Sequence, residues 1–389
     1  MARILIFTAK WPFSSREIDG GSITVSQYVS VLAKSNEIDY LYLKKSKEEI
    51  TCNVPEIHHL EVVDGEYLDY HTYNAFNSNK FLIRLENIPY NNRLIKERID
   101  KYDLVIIVHC LQAMGLEKIL TTDQLQKIVV FPMFLADSYI KSGDVVPKEY
   151  IAAEKSILNK VGAIITPSVK EKDYIVNNYC SDSAKIFVIP RAVGLEFVGT
   201  PRKLHNKTIE LCYIASFKNQ KNNLDAIRVV KCLYDAKIKV RLHLVGTHQD
   251  ASVFQSCLDY IAMNDMSEQV VMHDIMPQIE LVEFYKKMDF NISTSLCETF
   301  GRSIFEGLAM GLPTLVYDCL DEVVYLTKRD PGIVFVSNYT EMANAIKEII
   351  IQMKYEELSK QAIKIGQRFS FASQERAIVL AIHKILNKE

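Results

Sequence analysis

The sequence predicts an α/β chain of two doubly wound domains, and three observations carry that expectation. Short apolar runs alternate with amphipathic helical patterns along the whole chain. The runs are apolar at consecutive positions, as strands covered on both faces of a parallel sheet require. The alternation breaks at the polar segment Pro201-Arg202-Lys203-Leu204-His205-Asn206-Lys207 and then restarts. Two successive βα arrays imply two Rossmann-like domains facing a central cleft formed by the carboxyl ends of their strands. The 389 residues are too many for one ordinary core and enough for two. The pattern divides the chain into 1–200, 201–370 and a terminal helical segment, 371–389.

Ile4 to Phe7 reads as the first strand, followed by a loop and a helix over Ile23 to Ala33. Ile38 to Leu43, Leu104 to Val108, Ile128 to Phe131, Ala163 to Ile165 and Ile186 to Ile189 are the further strands of the first array. Residues 60–92 are less regular and rich in Tyr and Asn (Tyr67, Tyr70, Tyr73, Asn74, Asn77, Asn79), and read as an insertion or mobile region of the first domain. The second array gives Ile209 to Ile214, Val240 to Val245, Val270 to Met272, Phe290 to Ser293, Thr314 to Val316 and Ile333 to Val336. Phe369-Ser370-Phe371 then precedes an amphipathic helix over Ser373 to Leu386. No repeat or low-complexity tract is present.

A hydrophobic fraction of 48% with 24% charged residues excludes a disordered chain. A net charge of −2 supplies no field to attract nucleic acid. The eight cysteines (Cys52, Cys110, Cys180, Cys212, Cys232, Cys257, Cys297, Cys319) are scattered without a Cys-x-x-Cys pair. That spacing suits reduced thiols better than disulfides or a zinc site. The opening apolar run ends at Lys10, short of a signal peptide's, and no stretch reaches the length of a membrane span. The expected location is the cytoplasm. Arg93-Leu94-Ile95-Lys96-Glu97-Arg98-Ile99-Asp100-Lys101 could touch an anionic membrane, but its interleaved acids favour a solvated helix.

The strongest motif is Glu298-Thr299-Phe300-Gly301-Arg302-Ser303-Ile304-Phe305-Glu306-Gly307-Leu308-Ala309-Met310-Gly311-Leu312-Pro313. It follows a strand and opens a helix whose apolar face is Ile304, Phe305 and Leu308. Gly301 permits an unusual backbone angle and close approach of a ligand. The first turn then offers N–H groups and a positive dipole end to an anion. Glu306, one turn beyond Ser303, can accept both hydroxyls of a ribose, and Glu298 can reach a sugar attached to the phosphate. Either glutamate alone would be an ordinary solvated residue; the complete string is what points to a site.

This string resembles the signature of retaining glycosyltransferases of the GT-B fold, in the large family 4 (glycosyl transferases group 1) that includes sucrose synthases and mannosyltransferases. In that family two glutamates with seven residues between them flank a Phe-Gly turn, the spacing of Glu298 and Glu306. Gly311 and Pro313 match the turn that follows. Asp321-Glu322-Val323-Val324 and Pro331-Gly332-Ile333-Val334 resemble further family segments, Leu244-Val245-Gly246 its Val-Gly turn, and Gly20-Gly21 its diphosphate-side glycine loop. The resemblance covers the chain apart from residues 45–100. It implies an acceptor-side first domain, a nucleotide-sugar-binding second domain, and a last helix that returns to the first.

Ala215-Ser216-Phe217-Lys218-Asn219-Gln220-Lys221-Asn222-Asn223 is the second constellation. Two lysines three apart on a strand-to-helix loop can neutralise a diphosphate leaving group. Lys221 fits the family lysine, while the family arginine falls on Ser216. Lys218 can supply the missing charge, though without an arginine's bidentate geometry. The catalytic set expected is Glu298, Lys221 and Lys218. The donor-binding set is Gly20, Gly21, Ser216, Met276, Phe300, Gly301, Arg302, Ser303 and Glu306. A histidine that many family members carry after the strand matching Ile128 to Phe131 is missing; the chain reads Phe131-Pro132-Met133-Phe134-Leu135-Ala136-Asp137-Ser138-Tyr139. Asp137, Ser138 or Tyr139 are the available polar substitutes. His109 and Arg191 are further candidates for the cleft, although a histidine at a strand end is more often structural.

No Asp-x-Asp stands at a strand end to hold a metal. The resemblance therefore implies a metal-independent, retaining transfer with no cofactor beyond the nucleotide-sugar co-substrate, of which UDP is the commonest in the family. The acceptor could be a carbohydrate, a lipid-linked sugar, a protein or a small molecule. Two other readings stay open: a nucleotide-sugar epimerase, and a non-catalytic partner subunit of a transferase, motivated by Ser216 and the missing histidine. A glycogen-phosphorylase-like enzyme fits less well, because no lysine site for pyridoxal phosphate is apparent.

Overall fold

The structure is a computed structural model that describes residues 1–11, 20–44, 54–64, 81, 85, 88–141, 143–179, 182–204 and 207–387. The chain divides into two compact units, Met1–Pro190 with Gln374–Glu389, and Arg191–Ser373. Each is built on a parallel sheet, so the α/β class with two Rossmann-like halves holds.

The first unit carries seven strands: β1 (Arg3–Thr8), β2 (Glu37–Lys44), β3 (His59–Asp64), β4 (Leu104–Val108), β5 (Ile128–Phe131), β6 (Ala163–Thr166) and β7 (Ile186–Val188). Their order is β3-β2-β1-β4-β5-β6-β7, all parallel. The central strand β1 pairs Ile4 with Ile38 on one side and with Leu104 on the other. Ile4, Leu5, Ile6 and Phe7 are all buried, which is why the strand reads as an unbroken apolar run. The chain fills one side of β1 and then crosses to the other, which makes the β1/β4 junction a topological switch point.

Two expectations for this unit need correction. Residues 60–64, at the start of the span read as irregular, belong to the edge strand β3. An edge strand has one neighbour, and His59 and Val62 of this one are exposed, so it lacks an all-apolar run. Arg98 Nε donates to Glu61 of this strand at 2.9 Å, so that arginine of the basic stretch is turned toward the protein. The first helix spans Gly20–Leu32, so Gly20 and Gly21 stand in its first turn instead of in a loop. Tyr67, Tyr70, Tyr73, Asn74, Asn77 and Asn79 lie outside the described residues.

The second unit carries β8 (Ile209–Ile214), β9 (Val240–Val245), β10 (Val270–His273), β11 (Phe290–Ser293), β12 (Thr314–Tyr317) and β13 (Ile333–Val336). Their order is β10-β9-β8-β11-β12-β13, again all parallel, with the switch point between β8 and β11. Gly246, just past β9, lies so close to the end of β8 that a Cβ there would sit 2.3 Å from the carbonyl oxygen of Ala215. Only glycine lets these two strand ends converge. Among the described residues, no helix is long and apolar enough to cross a membrane.

A buried carboxylate ties the amino-terminal edge of the first sheet. Asp39, 1% exposed, accepts from Arg3 Nη2 at 2.7 Å and the Tyr102 hydroxyl at 2.9 Å, and lies 3.1 Å from His58 Nδ1. Burial pushes its pKa up, but the bonds to His58, Tyr102 and Arg3 outweigh that and leave it below the ordinary value. A carboxyl with a depressed folded pKa adds stability above its unfolded pKa and loses it as pH falls through the folded value. Asp39→Asn should therefore cost about 1.5–3 kcal/mol near neutral pH. In urea titrations the gap to wild type should narrow as the pH drops below about 4. A gap independent of acid pH would place the effect outside this carboxylate.

Candidate active site

The β8/β11 switch point is where the two sequence motifs meet. After β8 the chain runs Ala215 to Asn222, with a tight 3-10 turn at Asn219–Lys221, before the helix Asn223–Asp235. Asn222 is left-handed at φ 49°, a conformation asparagine tolerates better than most residues. After β11 the chain runs Thr294 to Gly301. The two loops are laced together: Leu296 N donates to Gln220 O at 2.8 Å, Gln220 Nε2 to Cys297 O at 2.7 Å, and Thr294 Oγ1 to Asn222 O at 2.9 Å. Asp225 braces the turn from behind, accepting from Asn222 Nδ2 and the Tyr317 hydroxyl, each at 2.8 Å.

Lys221 Nζ is paired with Glu298 Oε1, their side chains 17% and 12% exposed. Ser295 Oγ donates to the same oxygen at 2.8 Å. Both bonds fall on Oε1, and among the described residues none donates to Oε2. The carboxylate is thus aimed by one oxygen and free to accept with the other.

Gly301 begins the helix Arg302–Ala309 with φ 76° and ψ 60°, so the left-handed turn needs its glycine. A Cβ at Gly301 would also sit 2.8 Å from Ile304 Cδ1. The Phe300 ring is buried and stacks on Phe305, centroids 4.3 Å apart. That stacking anchors the turn in the core. The half-buried Arg302 donates through Nη1 to Ala192 O at 2.6 Å, and Arg191 donates through Nη1 to Thr299 Oγ1 at 3.0 Å. The Ser303 carbonyl accepts from Asn291 Nδ2 at 3.1 Å and from the Tyr285 hydroxyl at 3.2 Å.

Glu306 is 3% exposed. Burial drives its pKa up to about 7; Arg302 and the Tyr285 hydroxyl pull it down, and Glu196 pushes it further up. Ser216 and Lys218 are half-buried on the loop after β8, and Met276 packs partly buried against the cluster containing Phe300 and Phe305. Gly20, Gly21 and His109 belong to the first unit, at the carboxyl ends of β1 and β4. His109 has φ 82°, its Nδ1 accepts from Leu111 N at 3.2 Å, and its Nε2 lies 3.3 Å from the Tyr139 hydroxyl. Asp137 pairs with Lys141 at 2.7 Å. Tyr213, Ser295, Gln220 and Thr294 were not singled out by the sequence. Their only signal was position, on or just past the strands that bear the motifs.

These features define an α/β protein with a polar switch point in its second half. Residues 200–369 match the family described as Glycosyl transferases group 1. Among curated proteins no sequence match is found. Solved structures share the fold over the full chain. A sucrose-phosphate synthase from Thermosynechococcus elongatus is 16% identical with a TM-score of 0.78, covering 100% of both chains. The lipopolysaccharide outer core galactosyltransferase WaaB is 16% identical with a TM-score of 0.67, covering 99% of each. HepE of Anabaena, solved with UDP and glucose, is 13% identical with a TM-score of 0.68, covering 99% of this chain and 100% of its own. At such identities the likeness is one of fold.

The state of Glu306 can be read from stability. Its folded pKa of about 7 stands above the ordinary 4.5, so the folded state holds a proton that the unfolded chain has released. Stability from this group is therefore full at acid pH and declines as pH rises through the folded value. Glu306→Gln removes that slope. Relative to wild type it should gain stability between about pH 5 and pH 8, each tenfold difference in proton affinity being worth roughly 1.4 kcal/mol. Glu154, raised likewise to about 7, supplies an unchanged background. Equal urea midpoint differences at both pH values would contradict a buried, uncompensated Glu306.

Proposed function

We propose that the chain is a retaining, metal-independent glycosyltransferase that moves a sugar from a nucleotide donor, a UDP-sugar, to an acceptor hydroxyl. The observation that carries this reading is the Lys221–Glu298 pair beside the Gly301 helix start, at the switch point of the segment that matches the group 1 family. UDP is favoured because HepE, a fold neighbour, is solved with UDP and with UDP-glucose.

In this reading the diphosphate meets the first-turn amides of Arg302–Ala309 and the ammonium groups of Lys221 and Lys218. A lysine ammonium has three donors, so Lys221 can hold Glu298 with one and phosphate oxygens with the others. Glu298 Oε2 accepts a donor-sugar hydroxyl, and Glu306 accepts the ribose once the nucleotide reaches it. The bond from the anomeric carbon to the phosphate oxygen breaks as positive charge builds on the ring. The acceptor oxygen forms its bond on the same face, and its proton passes to the departing phosphate oxygen. No protein nucleophile is needed. Acceptor recognition is assigned to the first unit, where His109 and Tyr139 meet at the end of β4. The acceptor's class stays open among sugars, lipid-linked sugars, proteins and small molecules. The Lys221–Glu298 pair argues against a non-catalytic partner subunit.

Lys221→Ala should lower turnover by about a hundred- to thousandfold with the fold intact, the usual effect of deleting a preorganised donor to developing negative charge. Lys218→Ala should be nearly as severe, and Ser216→Arg in that background should restore part of the loss. Wild-type turnover in Lys218→Ala would remove Lys218 from the mechanism. A second check is chelation: UDP release in EDTA should match the untreated rate. Loss restored by magnesium or manganese would overturn the metal-independent part.

A further inference from the structure

We infer that Tyr213 and Ser295 are positioning residues for the transfer, closing a ring of hydrogen bonds that sets the Lys221–Glu298 pair. The inference rests on the reading of that pair as the reacting site. Tyr213 lies on β8 and is 1% exposed. Its hydroxyl donates to the Lys221 carbonyl oxygen at 2.6 Å and lies 2.7 Å from Ser295 Oγ. Ser295, fully buried past β11, donates to Glu298 Oε1 at 2.8 Å, and Lys221 Nζ returns to the same oxygen. The ring thus joins the main chain of the lysine to the side chain of the glutamate, residues carried by different strands.

A buried phenol is costly unless its hydroxyl is paired, and a phenylalanine would fill the same core volume. The hydroxyl of Tyr213 is turned to two acceptors, both atoms of the site loops. Burial, with the Glu298 charge adding, pushes its pKa well above the ordinary phenol value, so it remains a donor wherever the protein is folded. Ser295 has one proton, which goes to Glu298, so the serine oxygen depends on the tyrosine hydroxyl, which is also the short donor to the lysine carbonyl, where Thr294 Oγ1 adds only a long bond at 3.5 Å. Deleting it leaves the loops joined through Leu296, Gln220 and Thr294. The fold then survives while the aim of Glu298 relaxes. Small misplacements of such groups are felt mainly in the transition state.

The test uses the full chain and the UDP-sugar from which the wild type releases UDP fastest, with water as acceptor. UDP affinity is measured by calorimetry alongside turnover. Tyr213→Phe should bind UDP within about twofold of wild type and turn over roughly tenfold more slowly. Ser295→Ala should behave alike, and the double variant should be no slower than the worse single, because either change opens the same ring. A Tyr213→Phe protein with wild-type turnover, or one losing UDP affinity and thermal midpoint together at unchanged turnover per folded molecule, would overturn the inference. Lys221→Ala separates the layers. If it loses turnover while Tyr213→Phe keeps it, only the positioning role fails. If Lys221→Ala stays active, or the wild type neither binds UDP nor releases it from any UDP-sugar, the reading of the site fails and this inference with it.

Discussion

The ion pair between Lys221 and Glu298 is the constraint on which the rest of the second unit turns. The residues stand 77 positions apart and meet because β8 and β11 are neighbours at the point where the strand order reverses. A carboxylate with 12% of its side chain exposed would be poorly tolerated alone, as would an ammonium at 17%. Each compensates the other's lost hydration, and the serine adds a neutral donor. The pair requires both loops to hold one path, which explains the density of bonds between them. It also explains two glycines: Gly246 lets β9 close against the end of β8, and Gly301 turns the chain into its helix without pushing against Ile304.

Most of the fold was legible in the sequence, for a physical reason. Parallel strands covered on both faces must be apolar at every position, so runs such as Leu104 to Val108 announce themselves and end where the burial ends. The edge strand His59–Asp64 escaped because it answers to one neighbour, and its alternating polar residues resemble a loop. Gly20 and Gly21 read as loop residues through the family resemblance, yet a first helical turn tolerates them because its amides lack intrahelical partners anyway.

The site was legible as a string and illegible as a network. Spacing named Glu298 and Lys221 because each has a role in a motif, but no local pattern says that the two touch. Tyr213 was hidden for the opposite reason. Within Ile209 to Ile214 it reads as one more apolar strand residue, and only the third dimension shows where its hydroxyl points. The burial of Glu306 was not legible either. Helical periodicity places it one turn from Ser303, but does not reveal that Tyr285 and the segment bearing Glu196 lie against it.

The two switch points solve the same topological problem with different chemistry. In the second unit the loops are held by opposite charges. In the first, His109 past β4 and Met133 past β5 have positive φ, at 82° and 64°, and His109 lies further from the allowed left-handed well than Asn222 at 49° in the second. Non-glycine residues there cost about 1–3 kcal/mol each and persist only when their surroundings over-determine them. The surroundings do so here. His109 N donates to Phe131 O at 2.8 Å, locking the two strand ends together. Glu154, fully buried, accepts the Ala136 amide at 3.0 and 3.2 Å and so fixes the start of the helix Ala136–Lys141. That helix carries Tyr139 to the His109 ring. A fully buried carboxyl group, its pKa raised to about 7 by lost hydration, is a costly way to cap a short helix. Glu154 thus fixes the start of the helix whose Tyr139 meets the strained His109 at the end of β4.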